Sequence, residues 1–212
     1  MTAAAHTAGR DVRSVTLLAV SKGQDISRIR AAQALGLTDF GENYVDEALP
    51  KIRAVNSGAV WHFIGRLQGN KTRVVAENFA WVHGVDRLRI AERLSAQRPF
   101  HAAPLNVCIQ VHIAADPAKG GVMAEELLPL LLQVAPLPRL KLRGLMCMLP
   151  YAMAAADQVA AFRQLAVLAQ QARSAGLPLD TLSMGMSADF VAAIEAGATI
   201  VRIGTALFGA RD

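Results

Sequence analysis

The chain has 212 residues, of which 53% are hydrophobic and 18% are charged. This composition predicts one compact domain over residues 1–212 with a substantial core, and it excludes an intrinsically disordered chain. The formal charge is +5, but the arginines are scattered along the chain and form no basic run with interleaved aromatic residues. We therefore predict no nucleic-acid partner.

The cysteines and the apolar segments bear on the cellular compartment. Cys108 and Cys147 lie inside apolar runs and lack the spacing of a metal site, as is typical of a reducing environment. Residues 1–13 lack the apolar region of a signal peptide. Residues 127–137 are the most apolar stretch, but they are too few to span a membrane. The prediction is a cytoplasmic protein with no membrane partner.

Short apolar runs alternate with longer segments of helical period along the chain. The predicted strands are 15–20, 37–40, 60–64, 81–85, 105–113, 142–148, 182–184 and 200–203. The predicted helices are 26–35, 44–53, 71–78, 87–97, 124–134, 157–175 and 188–196. Strands that alternate with helices indicate a parallel sheet, and eight of them favour a single (β/α)8 TIM-type barrel over an open doubly wound sheet.

Capping residues support these helix boundaries. Asp25, Asp86 and Ser187 precede three of the predicted helices as N-caps, where their side chains accept hydrogen bonds from backbone N–H groups. Three glycines follow helices at the position that favours a left-handed conformation: Gly36, Gly176 and Gly197.

The two ends of the chain leave little material for a full outer ring of helices. Only residues 206–212 follow the eighth predicted strand, and about fourteen residues precede the first. We expect residues 1–14 to form a short helix or a flexible segment, so the N-terminal helix is shortened. The eighth helix is then short, supplied by another chain, or missing.

The first apolar run, 15–20, stops in Ser21-Lys22. At the end of a buried strand the ammonium form is disfavoured, so the neutral amine becomes available to react with a carbonyl. The alternative is an ordinary solvated lysine. Lys51 and Lys141 are expected on the opposite face of the barrel and Lys71 begins a helix, so Lys119 is the one competitor for the mouth.

Two turns rich in small residues follow the seventh and eighth predicted strands. In a barrel these loops commonly bind phosphate through backbone N–H groups and a helix N-terminus. Ser183 and Thr205 offer hydroxyls, while Gly185 and Gly204 allow a close approach of the backbone. Each glycine taken alone is better explained as a turn residue, but two such turns after this pair of strands favour the phosphate site.

Arg202 lies two residues before Gly204, so both share one face of the last strand. Its guanidinium is placed to contact the phosphate or an aromatic ring nitrogen; the alternative is a salt bridge to a neighbouring element. A lysine, a phosphate-binding turn and a partner for a ring nitrogen together are what pyridoxal phosphate requires.

The chain resembles the pyridoxal phosphate homeostasis proteins, which share their barrel with the N-terminal domain of alanine racemase. The resemblance covers nearly everything after residue 14, in the order of the family. The matching segments are 19–22, 40–45, 61–65, 67–71, 143–146, 182–187 and 201–211. The pair Leu-Ser-Met-Gly-Met-Ser and Val-Arg-Ile-Gly-Thr, at 182–187 and 201–205, is highly specific.

The resemblance implies fold type III of the pyridoxal phosphate proteins and a role for each candidate residue. Lys22 is expected to carry the cofactor as an internal aldimine, and Arg202 is expected to face the pyridine nitrogen. Asn43 and His62 are expected to line the pocket, although a plain core histidine explains His62 equally well. The phosphate is assigned to Ser183, Gly185, Gly204 and Thr205.

The resemblance also implies a carrier of pyridoxal 5′-phosphate that serves intracellular homeostasis by storage or delivery to apo-enzymes. Family members have no established catalytic activity, so a non-enzyme is expected, as a monomer or weak homodimer. The alternative is a small single-domain amino-acid racemase, which needs a second acid/base on the opposite face of the substrate. A Schiff-base aldolase on the same barrel is a third interpretation.

Overall fold

A computed structural model describes residues 1–55, 58–114 and 120–209. The strands in these ranges are β1 (Thr16–Val20), β2 (Asp39–Glu42), β3 (Val60–Phe63), β4 (Trp81–Val85), β5 (Leu105–Gln110), β6 (Leu140–Met146), β7 (Thr181–Met186) and β8 (Ile200–Ile203). The α-helices are α1 (Thr2–Thr7), α2 (Ile26–Ala34), α3 (Val45–Ala54), α4 (Thr72–Asn78), α5 (Leu88–Gln97), α6 (Ala124–Val134), α7 (Ala155–Ser174), α8 (Phe190–Glu195) and α9 (Thr205–Phe208).

The strands form a closed parallel barrel in the order β1 to β8. The seam closes where β1 pairs with β8, with Thr16 opposite Ile200 and Ala19 opposite Ile203. This confirms the predicted (β/α)8 barrel. Because the strands are parallel, their carboxyl ends and the loops that follow them meet at one mouth.

Side chains alternate between the interior of the barrel and the helices around it. The interior contains a small buried cluster of Leu18, Ile64 and Ile200. A much larger cluster, which includes Phe40 and Trp61, lies between the strands and the helices. The interior is therefore only partly apolar, which leaves room for polar side chains on the inward faces of other strands.

The helix caps agree with the sequence in part. The Asp25 side chain accepts a hydrogen bond from the backbone N–H of Arg28 and caps α2, as predicted. The predicted caps Asp86 and Ser187 are wrong, because α5 begins one residue later than expected and α8 begins only after Asp189. The three glycines at helix ends have φ of 89°, 89° and 101°, as a left-handed C′ position requires: Gly36, Gly176 and Gly197.

The N-terminal segment forms the short helix α1, which packs against α8 with Ala5 fully buried. The Arg10 guanidinium then donates hydrogen bonds to the carbonyls of Ile194 (2.9 Å) and Ala198 (2.7 Å). These contacts fasten the segment to the end of α8 and the loop before β8. Of the helices within the described ranges, none is long and apolar enough to cross a bilayer.

Two glycines after β3 provide a matched test of how closely the loop after β3 packs on the loop after β2. A Cβ at Gly65 would overlap the backbone carbonyl of Asn43, whereas a Cβ at Gly69 would stand 3.9 Å from its nearest neighbour, Arg93 Nε. We expect Gly65→Ala to lower the free energy of unfolding by about 1–3 kcal/mol and Gly69→Ala to leave it nearly unchanged. Urea denaturation followed by circular dichroism measures both, and equal values for the two variants would contradict the geometry.

Candidate cofactor-binding site

A cavity of about 510 Å³ opens at the carboxyl ends of the strands. Its walls come from the ends of β1, β2, β3, β6, β7 and β8 and from the loops that follow them. The lining residues are Val20, Lys22, Asn43, Ile64, Met148, Tyr151, Met186, Ser187, Ala188, Arg202, Gly204, Thr205 and Ala206. Five of the eight predicted site residues thus meet in one cavity: Lys22, Asn43, Arg202, Gly204 and Thr205.

Lys22 stands just beyond β1, at the edge of the cavity. Leu18 and Val20 face the barrel interior, and the same alternation carries Lys22 to the inner side of the mouth. The turn that holds it is fixed on both sides, since Ser21 N–H donates to the carbonyl of Gly41 at 3.0 Å. On the other side, Gly23 N–H donates to Glu47 Oε1.

Lys51 is not on the opposite face of the barrel, where it was expected. Its Nζ donates to the carbonyl of Ser21 (2.7 Å) and to Glu42 Oε1 (2.8 Å), and it also contacts Glu47. The reason is the direction of helical side chains, which tilt toward the N-terminus of their helix. Because α3 starts at the mouth, Lys51 reaches back toward the mouth and braces the turn before Lys22.

Glu42 completes this buried cluster behind Lys22. Its Oε1 also accepts a hydrogen bond from Ser21 Oγ at 2.6 Å, and its side chain is fully buried. Burial raises the pKa of the Glu42 carboxyl, and the hydrogen bonds from Lys51 and Ser21 oppose that rise. A buried pair of this kind is costly to break on one side, because the remaining group loses its partner.

Arg202 forms part of the floor of the cavity, and its guanidinium is buried. Nη1 donates to the backbone carbonyl (2.7 Å) and to the hydroxyl oxygen (2.8 Å) of Ser183, and Nη2 donates to the carbonyl of Cys147 at 2.8 Å. Burial lowers the pKa of this guanidinium. It nevertheless remains a cation at neutral pH, because an arginine starts from a very high value.

His62 lies inside the barrel below the cavity and does not line it. Its Nδ1 is 2.9 Å from His83 Nε2, and its Nε2 is 3.0 Å from Asp39 Oδ1. Trp81 stacks on the ring with a centroid distance of 5.3 Å and an interplanar angle of 6°. The structure therefore favours the core interpretation of His62 over the pocket one.

Ser183 and Gly185 support the site from beneath without lining the cavity. Ser183 is fully buried and accepts from Arg202, as described above. Gly185 has φ of 93°, and a Cβ there would stand 2.5 Å from Ala193 Cβ on α8. Glycine at this position thus lets the turn after β7 pack tightly on α8.

Asn43, Gly204 and Thr205 also line the cavity, after β2 and β8 respectively. The Asn43 side-chain oxygen is buried and finds no hydrogen-bond partner in the described part of the chain. Gly204 is the N-cap of α9 and Thr205 is its first residue. A buried amide oxygen of this kind is expected to accept a hydrogen bond from a ligand or from water.

Two important polar residues were not predicted. Ser187 lines the cavity, and its Oγ accepts a hydrogen bond from Ala206 N–H at 3.4 Å, which joins the turns after β7 and β8. His83 lies between His62 and Ser183. Ser187 could have been found as a second hydroxyl in the turn after the seventh strand. Lys119, the expected competitor of Lys22, lies outside the described residues.

The fold and the site together define a barrel of the alanine racemase type. The family model for the alanine racemase N-terminal domain matches residues 4–212. The pyridoxal phosphate homeostasis protein of Pseudomonas aeruginosa is 54% identical over 210 residues, which cover 99% of this chain and 90% of that protein. Its Escherichia coli counterpart is 50% identical over 216 residues, which cover 100% of this chain and 92% of that protein. The chain belongs to the pyridoxal phosphate homeostasis protein family.

Solved structures agree with this assignment. PipY of Synechococcus elongatus, solved with PLP bound, superimposes with a TM-score of 0.87 at 37% identity and with 97% coverage of both chains. Alanine racemase from Corynebacterium glutamicum shares the fold at a TM-score of 0.72 and 20% identity. That match covers 98% of this chain but only 58% of the racemase.

The buried histidines predict how stability depends on pH. Burial lowers the pKa of His62, and it holds the pKa of His83 well below its ordinary value. The unfolded chain binds protons below about pH 6.5 while the folded rings stay neutral, so the free energy of unfolding falls as the pH is lowered. We expect a loss of up to about 1.4 kcal/mol per pH unit for each ring between about pH 6.5 and 5.

Denaturant unfolding across this pH range measures the slope. His83→Gln should show a shallower slope than the natural chain, and His101→Gln, which changes an exposed residue, should keep the natural slope. Identical slopes for the His83 variant and the natural chain would show that the ring is not held neutral.

Proposed function

We propose that this protein binds pyridoxal 5′-phosphate at the mouth of the barrel, holds it covalently at Lys22, and stores or delivers it without turning over amino acids. The observation that carries the proposal is the meeting of Lys22, Arg202 and the Gly204–Thr205 turn around one cavity. The names of the relatives and the PLP-bound structure of PipY support the same cofactor.

The donors and acceptors of the cavity fit this cofactor. Lys22 supplies an amine at one wall, Asn43 supplies a buried amide oxygen with no partner among the described residues, and Arg202 supplies a fixed cation below. The cofactor, when bound, supplies an aldehyde that condenses with an amine and a ring that accepts electrons. The cluster of Lys51 and Glu42 holds the turn that carries Lys22.

The phosphate is proposed to lie between the turns after β7 and β8. Thr205 and Ser187 offer hydroxyls there, and Gly204 leaves space for the backbone to approach an anion. Ser183 and Gly185, which the sequence grouped with the phosphate, act indirectly in this proposal. Ser183 holds Arg202, and Gly185 shapes the turn.

Arg202 also bears on the choice between carrier and racemase. A guanidinium keeps its proton, so it donates to the ring nitrogen and disfavours a protonated ring, which weakens the ring as an electron sink. Racemisation further needs acid/base groups on both faces of the substrate. The two tyrosines of the chain are Tyr44 and Tyr151, and both side chains are largely exposed, at 65% and 88%. The geometry therefore supports a carrier.

We propose that the protein acts in the cytoplasm, as a monomer or weak homodimer, and that apo-enzymes are the recipients of the cofactor. Burial raises the pKa of the Cys108 and Cys147 thiols to about 12, so both are inert core residues. Such unpaired thiols are typical of a reducing compartment.

The covalent attachment is tested by borohydride reduction and peptide mass mapping. We expect the pyridoxyl group on Lys22, and Lys22→Ala should abolish the label because no other lysine of the described residues lines the cavity. Lys141→Ala, at an exposed position far from the mouth, should label as the natural chain does. A label found mainly on Lys71 or Lys119 would refute the assignment.

The phosphate contacts are tested by comparing pyridoxal 5′-phosphate with unphosphorylated pyridoxal. Each charge-assisted hydrogen bond contributes about 1.5–3 kcal/mol, so the phosphorylated compound should bind tighter by orders of magnitude. Thr205→Val should weaken binding of the phosphorylated compound about tenfold or more and leave binding of pyridoxal unchanged. Equilibrium dialysis gives both constants, and similar affinities for the two compounds would exclude this phosphate site.

The carrier function is tested by two assays on the cofactor-loaded protein. Transfer of the cofactor to an apo-enzyme should be efficient, whereas solvent deuterium should enter the Cα of D- and L-amino acids only at a trace rate. The open mouth and the exposure of Tyr44 and Tyr151 to solvent are the physical reasons. Racemisation at about 1 per second or faster would overturn the carrier proposal.

A further inference from the structure

A continuous chain of hydrogen bonds runs through the barrel interior beneath the cavity. It begins at Arg202 Nη1, which donates to Ser183 Oγ at 2.8 Å. Ser183 Oγ is 2.7 Å from His83 Nδ1, and His83 Nε2 is 2.9 Å from His62 Nδ1. The chain ends where His62 Nε2 meets Asp39 Oδ1 at 3.0 Å.

Asp39 lies at the far end of the barrel from the cavity. It is the first residue of β2, so it belongs to the amino-terminal face, where the strands of a barrel begin. Its second oxygen accepts a hydrogen bond from the Thr38 hydroxyl at 2.7 Å. His62 and His83 are buried between the two ends. The chain thus connects a partly exposed carboxylate on one face with the guanidinium under the cavity on the other.

The chemistry of the two end groups sets the direction of every bond between them. An ionised carboxylate only accepts, so His62 carries its proton on Nε2 and its Nδ1 is an acceptor. His83 must then donate from Nε2, which leaves His83 Nδ1 to accept from the Ser183 hydroxyl. Arginine only donates, and the Ser183 oxygen accepts from it. All four bonds therefore point from Arg202 toward Asp39.

This order of hydrogen bonds requires two neutral histidines and an ionised Asp39, and the burial and hydrogen bonds of the three side chains favour those states. Burial lowers the pKa of both histidines, so each ring is neutral and carries one proton. Burial alone would raise the pKa of Asp39, but the hydrogen bonds from His62 and Thr38 outweigh it and keep the group ionised. In the reverse order His62 Nε2 would carry no proton, and its lone pair would face a lone pair of the Asp39 carboxylate.

We propose that Asp39 is a positioning residue for Arg202: acting through His62, His83 and Ser183, it fixes the hydroxyl that accepts from the guanidinium and so the place of that cation under the cofactor. The inference rests on the proposed function only for its effect on a bound cofactor. The order of the protons is a property of the protein alone.

An asparagine at position 39 keeps the shape of the side chain, but its neutral amide no longer requires His62 to carry its proton on Nε2. In Asp39→Asn the amide can donate to His62 Nε2, which allows both imidazoles to reverse. His83 would then donate to Ser183 Oγ, and this oxygen would face two donors at once. Asp180→Asn is the matched control. Asp180 directly precedes β7 on the amino-terminal face of the barrel and pairs with Arg143, which takes no part in the series of hydrogen bonds from Arg202 to Asp39.

The first measurement is nitrogen-15 NMR of the histidine rings in the cofactor-free protein. We expect both His62 and His83 as the Nε2–H tautomer in the natural chain and in Asp180→Asn, and a partial or full change to Nδ1–H in Asp39→Asn. An Nδ1–H ring in the natural chain would overturn the inference, and this result needs no variant and no cofactor.

The second measurement is the absorption spectrum of the cofactor-loaded protein. Asp39→Asn should shift the absorption maximum of the bound cofactor, which stays attached at Lys22, while Asp180→Asn should leave the maximum in place. Equal spectra for the two variants would overturn the positioning role even if the tautomers are as expected. Failure of all forms to bind the cofactor would instead refute the proposed function, which the tautomer result does not require.

Discussion

The buried guanidinium of Arg202 is the constraint on which the polar interior of this barrel depends. A cation removed from water costs free energy unless hydrogen bonds replace its hydration. Here the carbonyls of Ser183 and Cys147 and the Ser183 hydroxyl provide that replacement. In the proposed order, which the Asp39 carboxylate sets, the Ser183 hydroxyl accepts from arginine and donates its own proton to His83. The charge beneath the mouth is thus linked to polar residues on β2, β3, β4 and β7.

A second buried charge supports the mouth from the side. Lys51 and Glu42 meet behind the turn that carries Lys22, and Lys51 also holds the carbonyl of Ser21. The two clusters are separate, since one lies inside the barrel and the other lies between the sheet and α3. Both clusters fix, through hydrogen bonds, backbone or side chains of the proposed cofactor site.

Much of the fold could be predicted because period-two and helical patterns depend on neighbouring residues alone. All eight strands were found in this way, and the ends of the first and last strands placed Lys22 and Arg202 at the cavity. The positions of Lys51 and His83 could not be found, because they depend on how α3 packs on β2 and on the register between β3 and β4. The caps Asp86 and Ser187 failed because α5 and α8 begin later than the sequence pattern indicates, with Arg87 and Asp189 at the N-cap positions.

We propose above all that Arg202 donates to the ring nitrogen of the cofactor and so leaves that nitrogen unprotonated. Nitrogen-15 NMR of the protein loaded with pyridoxal 5′-phosphate labelled at the ring nitrogen tests this directly. The account predicts the chemical shift of an unprotonated pyridine that accepts a hydrogen bond, and Arg202→Lys should change it. A pyridinium shift in the natural chain would contradict the account.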